Sequence, residues 1–120
     1  MIKLALYILI GAFSSITLGA PIKSVIGSID KVQMMGKNYA AYNTSGDAIA
    51  FIHMSVLPIA CGNANSFRRV AITSSHPAFE IVISTALAAK VSGKDIELHY
   101  LEECTLWNNN AWDFAIITAK

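Results

Sequence analysis

FRRVAITSSHPAFEIVISTALAAKVSGKDIELHYL, residues 67–101, contains a predicted strand, a helix and a second strand in succession. Phe67–Ser74 alternates along its length and contains β-branched residues, which is typical of a strand. Pro77–Val91 is the predicted helix, because proline suits the first turn and Gly93 is a natural residue just beyond the last. Asp95–Leu101 alternates apolar and polar residues, which predicts a strand with one buried face.

The helix has a broad apolar face and few polar residues. Ser75 or His76 can cap its start, and Glu80 complements the positive end of the helix dipole. The apolar residues of the helix are Phe79, Val82, Ile83, Ala86, Leu87 and Ala89. We therefore expect the helix to pack on a core and also against other subunits.

Three further strands are predicted outside this segment. The first, Ser24–Met34, contains Gly27, which indicates a bulge or a sharp bend. The second, Ala48–Leu57, is mostly apolar on both faces, so we expect it to be covered on both sides; the last is Trp112–Ala119. The order β-β-β-α-β-β predicts a mainly β domain with one helix. It is the order of the OB-fold, a five-stranded Greek-key barrel, and a small α+β sandwich is the alternative.

Residues 1–19 have the layout of a secretory signal peptide. Lys3 provides the positive charge, an uninterrupted apolar run covers residues 4–13, and small residues lead to Gly19. The apolar run is shorter than the ~20 residues that span a bilayer, which disfavours the alternative of an uncleaved membrane anchor. Export would leave one domain, residues 20–120, in a secreted or periplasmic protein with no stable membrane span.

Cys61 and Cys104 are the two cysteines of the chain. In an exported chain an even pair predicts a disulfide, and the alternative is two buried free thiols. As a hypothesis, the bond also anchors the base of the loop that follows Cys104.

The charge balance gives no sign of a nucleic-acid partner. Nine basic residues face eight acidic ones, and Arg68-Arg69 is the strongest basic cluster. The charged fraction is only 14% and the hydrophobic fraction is 54%. We therefore expect some apolar surface to be buried against another chain.

No residue pattern indicates an enzyme, a metal site or a cofactor. The three histidines, His53, His76 and His99, have no partners at ligand spacing, so we interpret them as core, cap and surface residues. Glu102 and Glu103 are adjacent and point in opposite directions in an extended chain, so they cannot act as an acid–base pair. A small secreted enzyme would need a clustered His, Glu or Cys site.

The segment from Trp107 to Asn110 is the candidate ligand-binding loop. An indole beside a run of amides is a common way to hold a sugar, because the ring stacks on the pyranose and the amides meet its hydroxyls. On this hypothesis the glycan-binding residues are Trp107, Asn108, Asn109 and Asn110. In the alternative, Trp107 packs under its own loop and the asparagines only shape the turn.

The C-terminal segment from Glu103 through Cys104, Trp107 and Asn110 to Ala119 resembles the end of the B subunits of cholera toxin and heat-labile enterotoxin. Those chains also have a cysteine, then Trp-Asn-Asn, then a final apolar strand. The wider layout resembles the B subunits of subtilase cytotoxin and of the pertussis-like typhoid toxin. Its parts here are Ile59-Ala-Cys61, Thr73-Ser-Ser75, the helix, and the Ser92–Tyr100 turn and strand.

The resemblance implies an OB-fold lectin subunit that forms a homopentameric ring, binds cell-surface glycans and accompanies a catalytic A subunit. It implies that Trp107 stacks on a sugar and that Asn109 hydrogen-bonds to it. Asn110 replaces a lysine of the cholera group, which leaves the identity of the glycan open. The early-strand serine of the subtilase group corresponds to Ser24 or Ser28. The alternative function is a non-toxin periplasmic or secreted OB-fold binding module of unknown ligand.

Overall fold

The computed structural model describes residues 20–36, 47–62, 67–107 and 110–120. The predicted signal peptide, residues 1–19, and two predicted sugar-binding residues, Asn108 and Asn109, lie outside the described residues. The helix and strands, in chain order, are β1 Ile22–Gly27, β2 Lys31–Met35, β3 Ile49–His53, β4 Arg69–Thr73, α1 Phe79–Ser92, β5 Ile96–Leu101 and β6 Trp112–Ala119.

The six described strands form one mixed sheet in the order β1-β5-β6-β4-β3-β2. Neighbouring strands are antiparallel, except that β4 and β6 are parallel. The predicted mainly β domain with one helix is confirmed. The last predicted strand, Trp112–Ala119, has the predicted bounds.

The single strand predicted over Ser24–Met34 is instead two strands, β1 and β2. They pair at opposite ends of the sheet, β1 with β5 and β2 with β3. The expected bend at Gly27 lies where β1 ends, and a Cβ on Gly27 would lie 3.0 Å from a methyl carbon of Val56. After the bend, Ile29 is buried in the core and the Asp30 N–H donates to the His53 carbonyl at 2.7 Å. The chain thus changes its pairing partner while its side chains keep a strand-like pattern.

The helix α1 begins at Phe79, two residues later than Pro77, where its start was predicted. The N-cap residue is Ala78, whose side chain makes no capping hydrogen bond. The prediction that Ser75 or His76 occupies the N-cap is therefore wrong. The His76 side chain still contributes, because its Nδ1 accepts the Ala78 N–H at 3.0 Å. Among the described residues, no helix is long and apolar enough to cross a membrane.

The end of α1 is as predicted. Gly93 follows the helix with φ of 71°, in the left-handed region, and its N–H points to the carbonyls of Ala89 and Lys90. Glycine adopts this conformation without the clash that a Cβ would cause.

Apolar side chains are buried on both faces of β3, as expected for this strand. The main core lies between the inner face of the sheet and α1, and includes Ile52, Val70, Val82 and Leu98. A smaller cluster, called here the outer cluster, lies on the opposite face. It consists of Ile49, Phe51, Ala71, Trp107 and Ala111, with Met35 packed against it.

The predicted disulfide between Cys61 and Cys104 is confirmed. It joins a short 3₁₀ turn, Ala60–Gly62, to the segment that follows β5, with the two Cα atoms 6.5 Å apart. Cys61 has φ of 52°, a left-handed backbone conformation that is unusual for a residue with a side chain.

Candidate functional site

The segment between β5 and β6, residues 102–111, is the β5–β6 loop, and its described residues Trp107, Asn110 and Ala111 contact the outer face of β3 and β4. Trp107 reaches from this loop to Phe51 in β3, with ring centroids 5.2 Å apart in an edge-to-face arrangement. Only 5% of the Trp107 surface is exposed. In this conformation Trp107 packs under its own loop, as in the alternative interpretation of the sequence. The stacking of Trp107 on a sugar stays a prediction.

The first half of the β5–β6 loop is held by the buried carboxylate of Asp113. Its Oδ1 accepts the backbone N–H of Thr105 at 3.0 Å and that of Leu106 at 3.3 Å. Its Oδ2 accepts the Thr105 hydroxyl. Asp113 itself is fixed in β6, opposite Ala71 of β4. Charge-assisted bonds to a carboxylate are stronger than neutral ones, so this residue ties the loop firmly to the sheet.

Asn110, near the end of the loop, is held by Arg69 of β4. The Arg69 Nη2 donates to the Asn110 side-chain oxygen at 2.8 Å, and the Nε donates to the Asn110 carbonyl at 3.3 Å. Asn110 also closes a turn, because its N–H donates to the Trp107 carbonyl at 3.1 Å. One predicted sugar-binding residue, Asn110, therefore belongs to a defined hydrogen-bonded arrangement.

The Arg69 guanidinium lies between two aromatic rings. Its central carbon is 4.1 Å from the Phe51 ring centroid and 3.8 Å from the Phe67 ring centroid. Arg69 is 5% exposed, and burial lowers the pKa of its guanidinium to about 10. The group therefore stays positively charged at neutral pH, and the two ring faces stabilise the charge by cation–π attraction.

His53 of β3 is the neighbour of Arg69 in the sheet and extends the same face. Burial, followed by the positive charges of Lys31 and Arg69, lowers the pKa of His53 to about 4. Its Nε2 lies 3.2 Å from the Gln33 side-chain oxygen. At neutral pH His53 is thus an uncharged group whose ring N–H donates to Gln33.

The remaining residues singled out in the sequence lie elsewhere. Ser24 and Ser28 are exposed, and Ser24 lies opposite His99 in the pairing of β1 with β5. The His99 Nε2 is 4.0 Å from a Glu97 carboxylate oxygen, and its Nδ1 is buried without a partner. In the described part of the chain, no group of three or more His, Cys, Asp or Glu side chains is arranged to hold a metal ion.

Four residues of this site, Phe51, Phe67, Arg69 and Asp113, were not predicted as functional. Phe67 and Arg69 alternate onto one side of the third predicted strand, which is a signal that they share a face. Their link to the β5–β6 loop has no signal in the linear sequence, because Arg69 and Asn110 are 41 residues apart.

Comparison of the chain with protein-family models, curated proteins and solved structures found no match.

Proposed function

We propose that this chain is an exported glycan-binding subunit with an OB-fold, of the kind that forms the B component of bacterial A–B toxins. In this proposal the subunits form a ring that binds host cell-surface sugars. The glycan binds where the β5–β6 loop meets the outer face of β3 and β4. The observation that carries the proposal is the attachment of this loop to those two strands by Trp107 on Phe51 and Asn110 on Arg69.

The strand order supports the OB-fold. β1 and β2 lie at the two ends of the sheet order, yet only three residues separate them in the chain. In a closed five-stranded barrel, one long bent strand pairs with the strands at both edges of the sheet and so closes it. The helix between β4 and β5, and the parallel pairing of β4 with β6, fit the same topology.

The location of the site supports ligand binding. OB-folds bind oligosaccharides and oligonucleotides on the face of their second and third strands and on the loop between the fourth and fifth. If β1 and β2 count as one strand, these parts are β3, β4 and the β5–β6 loop. The balanced charge of the chain favours a sugar over a nucleic acid.

The surface of α1 supports assembly into a ring. Leu87 is 46% exposed and Val91 is 87% exposed, and residues four apart lie side by side on a helix. Adjacent exposed apolar side chains are typical of a surface that another chain covers.

Glycan-array binding by the purified exported domain tests the ligand class. We expect Trp107→Ala to lose binding, because it removes the contact that seats the loop on Phe51. Thr118→Ala, an exposed change in β6, is the matched control and should bind like the wild type. The proposal is contradicted if the wild type binds no glycan on the array, or if Trp107→Ala binds glycan as well as the wild type does.

Light scattering tests the ring separately. The wild type should give a mass several times that of one subunit, and Val91→Lys should lower it, whereas Lys90→Ala on the same helix should not. A monomeric wild type would contradict the ring. It would leave the second candidate, a non-toxin periplasmic or secreted OB-fold binding module.

The burial of Trp107 is the observation that favours this second candidate, because the indole is not presented to a ligand. A neighbouring gene for an exported ADP-ribosyltransferase or protease would instead favour the toxin subunit.

A further inference from the structure

A row of three basic residues crosses the outer face of β2, β3 and β4. Lys31 of β2 lies opposite His53 of β3, and His53 lies opposite Arg69 of β4. Directly opposed side chains on one face of a sheet are only about 5 Å apart at Cβ, and like charges placed there repel each other. His53 is 9% exposed and Arg69 is 5% exposed, so salt and water screen little of this repulsion. The row is therefore favourable only while His53 is uncharged.

The groups that face His53 from the neighbouring elements keep its ring neutral at pH 7. Burial, followed by the charges of Lys31 and Arg69, lowers the pKa of His53 to about 4. The acidic group that opposes this shift is Asp30, which precedes β2 and is exposed. Gln33 of β2 presents an uncharged oxygen, 3.2 Å from the His53 Nε2. A protonated His53 therefore has more positive than negative charge around it.

β2 is the least firmly held of the three strands that carry this row. It lies at one end of the sheet order and, among the described strands, pairs with β3 alone, whereas β3 and β4 each have neighbours on both sides. None of the five β2 residues is fully buried, whereas all five of β3 are. Segments with few buried side chains open locally at a lower free-energy cost than the rest of a protein. A charge on His53 is therefore relieved most easily by movement of β2 away from β3.

We propose that acid releases β2 from β3, so that β2 is a pH-sensitive strand at the edge of the outer face. Protonation places a buried imidazolium between Lys31 and Arg69, and separation of β2 removes Lys31 and lets water reach the ring. Met35 of β2 packs against the outer cluster, which contains Trp107. Release of β2 thus removes one side of the cluster on which the β5–β6 loop sits. The effect on ligand binding rests on the proposed function, whereas the release of β2 rests on the row of basic residues alone.

Proton linkage gives the size of the effect. In the open form His53 is in water and has the ordinary pKa of about 6.5, whereas in the closed form its pKa is about 4. At pH 8 both forms hold the ring neutral, so the open form gains nothing. As the pH falls below 6.5, the open form takes up the proton first and its population rises. Between pH 8 and pH 5 the ratio of open to closed molecules should rise by up to about thirtyfold.

Amide hydrogen exchange followed by NMR measures this opening on the unmodified protein. Protection factors, which correct for the pH dependence of exchange in an unfolded chain, are measured at pH 8 and pH 5 in low concentrations of urea. We expect the amides that join β2 to β3 to lose protection by up to about thirtyfold at pH 5. Their opening should depend little on urea, because little surface is exposed. The β5 amides should be better protected and should depend strongly on urea, as in global unfolding.

Two results of this measurement would overturn the proposal. The first is equal protection and equal urea dependence in β2 and β5, which would mean that β2 opens only when the whole domain unfolds. The second is unchanged protection of the β2 amides between pH 8 and pH 5. Both results are obtained on the wild type, so the test does not depend on the folding of a variant.

Matched substitutions assign the pH dependence to one histidine. His53→Gln cannot take up a proton, so its β2 amides should be equally protected at both pH values. His99→Gln makes the same change in β5, which does not pair with β2, and should behave like the wild type. A thirtyfold loss that persists in His53→Gln would count against the proposal.

Glycan binding tests the functional consequence separately. The wild type should retain less array glycan at pH 5 than at pH 8, and His53→Gln should retain the same amount at both. Array binding without any release of β2 would overturn the pH-sensitive strand and leave the glycan-binding function intact. Release of β2 without retention of any array glycan would support the pH-sensitive strand and count against the glycan-binding subunit.

Discussion

Removal of the Cys61–Cys104 disulfide is expected to lower the free energy of unfolding by about 4 kcal/mol. The two cysteines are 43 positions apart in the sequence. Closing a loop of that length restricts the unfolded chain by roughly 4 kcal/mol at 25 °C in the chain-entropy description of crosslinks. A domain of this size is stable by only about 5–15 kcal/mol, so the loss is a large fraction of the total. The native fold should persist, because Asp113 and Arg69 hold the β5–β6 loop independently.

The backbone at Cys61 provides a control for this experiment. Its left-handed conformation costs a residue with a Cβ about 1–2 kcal/mol, and glycine avoids that cost. The C61A/C104A variant should therefore lose the full amount, and C61G/C104A should be about 1 kcal/mol more stable than C61A/C104A.

Urea denaturation at pH 7, followed by tryptophan fluorescence, measures both double variants. The wild type is measured with and without a reducing agent. A loss below about 1 kcal/mol in C61A/C104A would refute the loop-closure reasoning. Equal stability of the glycine and alanine variants would refute the reasoning about the backbone. If reduction of the wild type leaves glycan binding unchanged in a folded protein, the disulfide has no role in anchoring the β5–β6 loop for ligand binding.

Three further changes test the loop, the buried histidine and the helix end. Asp113→Asn should cost roughly 1.5–3 kcal/mol in urea denaturation, because the new amide group brings donors toward the Thr105 hydroxyl and backbone N–H; a cost below about 0.5 kcal/mol would contradict this. Unfolding free energy should fall by up to about 3 kcal/mol as the pH is lowered from 6.5 to 4, because the unfolded chain protonates His53 near 6.5 and the folded protein only near its pKa of about 4. His53→Gln should lack this part of the pH dependence. Gly93→Ala should lower the thermal midpoint by the equivalent of about 1 kcal/mol, whereas Ala88→Gly, which weakens the helix interior instead, should leave the C-terminal cap intact.

The elements with strong local signals could be predicted from the sequence. The helix end at Gly93 depends on a single backbone conformation that glycine favours, and the last strand has an apolar run with clear bounds. The break between β1 and β2 could not be predicted in this way. Ile29 is buried within the break, so the apolar pattern continues across it while the hydrogen-bond partner changes from β5 to β3. Side-chain alternation reports which face is buried, and it does not report which strand is the neighbour.

The β5–β6 loop was predicted to bind a ligand from its composition alone, and the residues that support the loop were not predicted. The run from Trp107 to Asn110 is unusual in itself, and that local signal is the basis of the prediction. Arg69 acquires its environment from Asn110, which follows it by 41 residues, and from Phe51 of the neighbouring strand. Contacts of this kind depend on strand pairing, so a sequence pattern can place Arg69 on a face without showing what that face meets.

The use of aromatic rings in this site affects how it would recognise a sugar. Trp107 packs edge-on against Phe51, and Phe51 and Phe67 both cover the Arg69 guanidinium. Rings that are engaged with a cation offer less free surface for stacking on a pyranose. The polar groups of the site are the Arg69 guanidinium and the amide of Asn110, and they already hold each other in place, so ordering them for a ligand costs little entropy. We therefore expect the charge and hydrogen-bonding pattern of the sugar, more than its apolar face, to determine which glycan binds.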